Sequence, residues 1–213
     1  MGKFTHCENR FIKNLMIRKI SKAYNIDLSD AVNQDIESYP SFNAFFTRPL
    51  KPDARPIASA ARSIACPADG YLSQKGPITE GQIVQAKGFD YSITSLLGGD
   101  PERAQPFQGG TFATIYLSPR DYHRLHMPVG GTLREMIHVP GRLFSVNDTT
   151  TRHVPDLFAR NERVVAIFDT PEGPMALILV GAIFVASIET IWSGIVTPPT
   201  RSDVQVTRYD NDR

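Results

Sequence analysis

The sequence predicts an α+β, mainly β fold in which N-terminal amphipathic helices sit on a compact antiparallel β core. Apolar residues recur at helical spacing from Arg10 to Tyr24, and beyond Ile64 the pattern changes to short β-branched or apolar runs punctuated by glycine and proline. A chain of 213 residues, 41% of them hydrophobic, is long enough to bury one substantial core with a helical extension.

In chain order, Phe11, Ile12, Leu15, Met16, Ile20, Ala23 and Tyr24 form the apolar set of the first helix, with Arg10, Lys13, Arg18, Lys19 and Lys22 among them. Such a helix has two readings. Its apolar face enters a membrane interface while its cations meet anionic headgroups, or it packs on its own domain and leaves a basic face to solvent. Residues 25–39 are polar and turn-rich, and Ser41 then reads as the N-cap of a short aromatic segment, Phe42-Asn-Ala-Phe-Phe46, that Pro49, Pro52 and Pro56 end. Residues 111–117, 163–169 and 175–188 read as core strands, and residues 92–97 supply one short helix. Gly130-Gly131 and Pro140-Gly141 read as punctuation between strands. Phe158-Ala-Arg-Asn-Glu162 reads as a polar turn with Arg160 and Glu162 paired at the surface. After Trp192 the chain turns polar and contributes little to a core.

Composition narrows the function classes. Twenty-three basic against 22 acidic residues leave a net charge of +1, so no global field marks a nucleic-acid binder. Cys7 and Cys66 match neither a metal-binding pair nor a disulfide framework, which fits a reducing compartment. The longest apolar run, 175–188, is shorter than the about 20 residues of a membrane-spanning helix, and no cleavable leader is evident. The expectation is a chain that stays inside the cell. No Walker loop, dinucleotide fingerprint or Gly-x-Ser-x-Gly elbow occurs, so nucleotide and serine-hydrolase readings have no support.

Two segments could carry chemistry. In Pro67-Ala-Asp-Gly70, Asp69 before a glycine is in most proteins a turn former, and becomes functional only with a partner histidine. In Tyr116-Leu-Ser-Pro-Arg-Asp-Tyr-His-Arg-Leu-His126, His123 and His126 would share a face if helical, which could seed a metal site. A zinc hydrolase wants a glutamate after the first histidine, whereas Arg124 stands there. A structural pair within a polar turn and an acid–base pair are the other two readings.

Taken together, Phe42-Asn-Ala-Phe-Phe-Thr-Arg-Pro-Leu50, Pro67-Ala-Asp-Gly70, Gln85-Ala-Lys-Gly88, Tyr116 to Pro128, Pro140-Gly-Arg-Leu-Phe-Ser-Val-Asn147, Leu157-Phe-Ala-Arg-Asn-Glu-Arg163 and Val180-Gly-Ala-Ile-Phe-Val-Ala-Ser-Ile-Glu-Thr190 resemble bacterial-type phosphatidylserine decarboxylase. Seven blocks stand in register from Phe42 to Thr190, and the resemblance covers roughly the whole chain from the amphipathic helix to Pro199. The resemblance implies a proenzyme that cuts itself at a Leu-Gly-Ser-Thr-type motif into a larger β and a smaller α chain, the serine becoming an N-terminal pyruvoyl group. It implies that Asp69 and His126 are the carboxylate and base of a triad completed by that serine, with Asp69 orienting His126. His123 would reprotonate the product carbon, and Tyr116 would stand near the Schiff base formed between pyruvoyl ketone and substrate amine.

The resemblance also implies phosphatidylserine as substrate, phosphatidylethanolamine and carbon dioxide as products, and an α chain carrying the pyruvoyl group as partner. It places the protein peripherally on the cytoplasmic side of the inner membrane, with a homodimer as a further candidate assembly and no nucleic acid. The expected divisions are a helical, membrane-facing arm over 1–40, a decarboxylase β core over 41–199 and a polar tail over 200–213. No glycine in the sequence precedes a serine, so the cofactor-forming serine is absent and the family's last C-terminal segment is expected to be missing. The rival expectations are a non-catalytic remnant or partner-binding fragment of the same fold, and a metal- or phosphate-transfer domain built on His123 and His126.

Overall fold

The computed structural model describes residues 5–60, 63–86, 88–183, 185, 187–197 and 202–209. Lys87, Phe184, Ala186, Pro198 and Pro199, which belong to the blocks and core boundary above, lie outside the described residues. The chain divides into two units, the first comprising residues up to Leu72 with Ile115–Val129, the second Ser73–Thr114 with residues from Gly130 onward.

In the first unit, helix α1 (Arg10–Tyr24) starts where Asn9 Oδ1 accepts from the amides of Phe11 and Ile12 and stops at Asn25, whose left-handed φ of 50° ends the helical repeat. Its packed face is Lys13 and Ile17. Ile17, which the periodic set omitted, is 0% exposed, and Lys13 donates through Nζ to the Glu37 carbonyl at 2.8 Å. Phe11, Ile12 and Leu15 lie open on the other side, Phe11 at 85% exposure. The packing reading is met on the Lys13–Ile17 side, while the apolar residues of the opposite side stay exposed. Ser41 caps helix α2 (Phe42–Phe46) by accepting from the Ala44 amide at 3.1 Å, and Phe42, Phe45 and Phe46 are buried, with Tyr39 edge-on to Phe45.

The β-rich architecture is as the sequence predicts. Strands β1 (Tyr71–Pro77) and β4 (Thr111–Tyr116) form a two-stranded sheet, as do β2 (Gln82–Ala86) with β3 (Phe89–Ser92). The main sheet of the second unit has four strands in the order β10-β5-β6-β7, all antiparallel: β5 (Thr132–Val139), β6 (Arg163–Thr170), β7 (Gly173–Val180) and β10 (Gln205–Arg208). Side chains alternate across a strand, so β6 sends Val165 and Ile167 into one cluster with Ile83, Tyr91, Ile93 and Leu96, while Val164 joins Met136 and Ile188 on the other face. Helix α3 (Ile93–Leu96), capped by Ser92, is the short helix expected over 92–97.

Three local expectations change. The run 175–188 is not one strand: β7 ends at Val180, and β8 (Ile188–Thr190), which begins at the run's last residue, pairs with β9 (Gly194–Thr197). The break falls at Gly181, where a Cβ would lie 3.1 Å from the carbonyls of Glu162 and Val185, so the backbone there is held by close approach rather than extended. Arg160 and Glu162 are not a surface pair. Asn161 between them is fully buried, bonding Phe144 N and O and Gly181 O, which turns Arg160 over the Phe144 ring and Glu162 toward His138 Nε2 at 3.2 Å. Finally, within the expected polar tail, Gln205–Arg208 forms the edge strand β10, because a ladder needs backbone groups rather than apolar side chains.

Candidate active site

Asp69 stands at the entry to β1, in the first unit. Gly70 follows it with φ +127°, and a Cβ there would lie 2.3 Å from the Tyr116 carbonyl oxygen. Only glycine allows β1 to begin this close to the end of β4, so the Asp-Gly pair sets a close approach as well as a turn. That contact also places the backbone of Tyr116 beside Asp69. Arg55 grips the carboxylate with both prongs of its fork, Nε to Oδ1 at 2.8 Å and Nη2 to Oδ2 at 2.7 Å, while its Nη1 reaches Asp30 at 2.8 Å. The Arg55 hydrogen bonds hold the Asp69 carboxyl below the usual carboxylate range, against the opposing effect of burial, and the Tyr122 backbone amide adds to the lowering.

The segment after β4 carries the other candidates on an irregular loop, not a helix. A turn closes at Ser118–Asp121, where the Asp121 amide donates to the Ser118 carbonyl at 2.9 Å and the Asp121 carboxylate accepts from the Ser118 amide. The segment around the end of α2 clamps this loop twice. Arg48 Nη2 donates to the Arg120 carbonyl at 3.0 Å, and Arg124 Nε donates to the Thr47 carbonyl at 2.7 Å. The buried phenylalanines of α2 thus serve to hold the loop in place.

His123 packs its ring against Phe46, centroids 3.9 Å apart, and its Nδ1 lies 2.8 Å from the Asp121 carbonyl. A carbonyl only accepts, so Nδ1 carries the proton and neutral His123 presents a lone pair at Nε2. Burial pushes its pKa below the ordinary histidine value, and nearby Arg48 lowers it further, against the opposing pull of Asp121. His126 is exposed; its amide donates to the Pro67 carbonyl at 2.8 Å, which ties it to the Asp69 segment, and its Nε2 lies 3.0 Å from the Tyr122 hydroxyl.

The structure therefore gathers Asp69, His123, His126 and the backbone of Tyr116 in one unit, yet Asp69 and His126 are not bonded to each other among the described residues. Asp69 is held by Arg55 and His126 by Tyr122. Sequence reasoning missed both of these groups. Tyr122 lay within a quoted block but between two more conspicuous neighbours, and nothing local distinguishes Arg55, whose partner is 14 residues away. Among the described residues no group of three or more His, Cys, Asp or Glu could hold a metal ion, and the two imidazoles have separate partners.

Comparison with known proteins bears on what this arrangement does. The family model described as phosphatidylserine decarboxylase matches residues 42–208. The chain is 61% identical over 210 residues to the phosphatidylserine decarboxylase proenzyme of Bordetella petrii, covering 99% of this chain and 73% of that protein. It is 65% identical to the Bordetella avium proenzyme, covering 98% and 71%, and 59% identical to that of Pseudomonas fluorescens, covering 98% and 72%.

Proposed function

The chain belongs to the phosphatidylserine decarboxylase family, as a carboxy-lyase forming phosphatidylethanolamine and carbon dioxide, and we propose that Asp69 and His126 activate the cofactor-forming serine while His123 serves decarboxylation. The observation that carries this reading is the convergence of Asp69 with the Tyr122–His126 segment, fastened by the His126 amide on the Pro67 carbonyl. An ionised carboxylate and a solvent-open imidazole are the donor set that turns a hydroxyl into a nucleophile, so the residues present fit a serine-derived pyruvoyl group. That group supplies a ketone for the substrate amine and an electron sink as carbon dioxide leaves. Since no glycine precedes a serine in these 213 residues, the group belongs to an α chain formed by residues outside them.

His126 takes the serine proton, and Asp69, ionised across the neutral range, favours the imidazolium that results. His123 is neutral at pH 7 because burial disfavours its charge, and once protonated at Nε2 it is a correspondingly stronger acid toward the product carbon. Tyr116, at the end of β4, is a weaker candidate for contact with the substrate near the ketone. Phe11 and Leu15, exposed beside Arg18, Lys19 and Lys22 on α1, fit insertion at an anionic lipid surface, in keeping with a peripheral location on the cytoplasmic side of the inner membrane. No helix among the described residues is long and apolar enough to cross a membrane.

The test is to co-express the chain with a C-terminal segment carrying the Leu-Gly-Ser-Thr motif and to measure carbon dioxide release from phosphatidylserine. The complemented protein is expected to release it and to carry a pyruvoyl group by intact mass. The 213-residue chain alone is expected to do neither, and release by that chain alone would overturn the pyruvoyl assignment.

A further inference from the structure

Tyr122 is the one side chain that bonds the imidazole of His126 among the described residues. Its hydroxyl lies 3.0 Å from Nε2, and its ring stacks on the imidazole with centroids 5.6 Å apart and 25° between the planes. Tyr122 is 8% exposed, and burial raises its phenol above the ordinary value, so the hydroxyl keeps its proton at neutral pH. A protonated phenol is a better donor than an imidazole N–H, and a bare imidazole nitrogen is a better acceptor than a phenolic oxygen. The favoured arrangement therefore has the phenol donating to Nε2.

We propose that Tyr122 is a positioning residue that sets the tautomer of His126, keeping the ring proton on Nδ1 and Nε2 as the proton-accepting nitrogen before a nucleophilic hydroxyl arrives. The proposal rests on the reading of His126 as the base. The tyrosine hydroxyl stands at the distance from Nε2 that a serine hydroxyl would need, so it holds the nucleophile's place. When the serine hydroxyl displaces it, the serine oxygen bonds to the preceding carbonyl carbon, the carbonyl electron pair moves to its oxygen, and the serine proton passes to Nε2. The imidazolium then carries protons on both nitrogens. A ring in the opposite tautomer would present an N–H to the incoming hydroxyl and could not accept. The Tyr122 amide also favours the ionised form of Asp69, so one residue bears on both members of the expected pair.

The first arm of the test uses the 213-residue chain. Long-range nitrogen–proton NMR of the histidine rings is expected to show His126 mainly in the Nδ1–H form, moving toward Nε2–H in Tyr122→Phe, which keeps the stacked ring. His123 should stay Nδ1–H in both, since the Asp121 carbonyl fixes it, and so reports that the loop is intact. In the second arm, with the serine segment supplied, Tyr122→Phe should slow self-cleavage about tenfold, a part of the roughly 100-fold or more that general-base help contributes, since the base itself remains. An Nε2–H form in the unaltered chain overturns the proposal without recourse to any variant, as does an unchanged or faster cleavage in Tyr122→Phe. Normal cleavage by His126→Ala would instead overturn the assignment of the base, while the ring tautomers would still test the hold of Tyr122.

Discussion

Arg55 contacts both oxygens of Asp69 and, with the same guanidinium, Asp30, so the carboxylate stays ionised to lower pH than an ordinary aspartate. Because the folded pKa is depressed, the associated stability is present above the unfolded value and is lost as pH falls through the folded one. Arg55 is 47% exposed at its side chain, so solvent screening limits the pair to about 1 kcal/mol. Arg55→Gln should lower unfolding stability by up to about 1 kcal/mol at neutral pH, with the difference from the parent chain shrinking as pH falls through the folded Asp69 pKa, read by urea titration at a series of pH values. With the serine segment supplied, Asp69→Ala and His126→Ala should remain uncut, slowed roughly 100-fold or more through loss of general-base help. His123→Ala should still cut yet release no carbon dioxide, and a gel beside a gas assay separates the two steps. If His123→Ala blocks cleavage while His126→Ala cuts, the two roles are reversed.

At the scale of elements, α1 presents a packed side through Lys13 and Ile17 and an open side through Phe11, Ile12 and Leu15. Arg10 and Arg18 both pair with Glu37, which leaves Lys19 and Lys22 as the less committed cations, each worth about 1 kcal/mol near an anionic leaflet. Co-sedimentation should therefore favour anionic over neutral vesicles and weaken with salt. Phe11→Asp with Leu15→Asp should abolish it without unfolding the chain, since both side chains already face solvent. Absence of any lipid preference would leave the helix with its packing role alone. The entry to β1 is less forgiving. Gly70→Ala places a methyl group against the Tyr116 carbonyl at positive φ, and should cost more than about 2 kcal/mol in a thermal melt.

For the molecule as a whole, the second unit depends on a charged residue at its centre. Arg163 opens β6 at 2% exposure and donates to the carbonyls of Ser95, Leu96, Ala159 and Asn161, joining the ends of α3 and α4 (Leu157–Arg160) to the sheet. Burial pushes its pKa down to about 10, yet it stays charged at neutral pH, its charge spread over four acceptors. Arg163→Met should lower unfolding stability by about 2–4 kcal/mol in urea titration, because four carbonyls lose this donor, those of Leu96 and Asn161 in fully buried bonds. Periodicity made α1 and the apolar strand β6 legible, and Ser41 and Ser92 marked their helices through caps that act within four residues. The ordered blocks made the family legible and singled out Asp69, His123 and His126 as the residues proposed for its chemistry, because acid–base work draws on few residue types. What the sequence by itself determined was thus local chemistry and the groups that chemistry needs. The tertiary structure alone decided that Arg55 holds Asp69, that Tyr122 takes Nε2 of His126, that Gly181 splits the long apolar run and that Asn161 turns inward. Each of these depends on which backbone or side chain lies opposite, and that is settled by packing between segments far apart in the chain or by the path of an irregular loop, to which no periodic pattern corresponds.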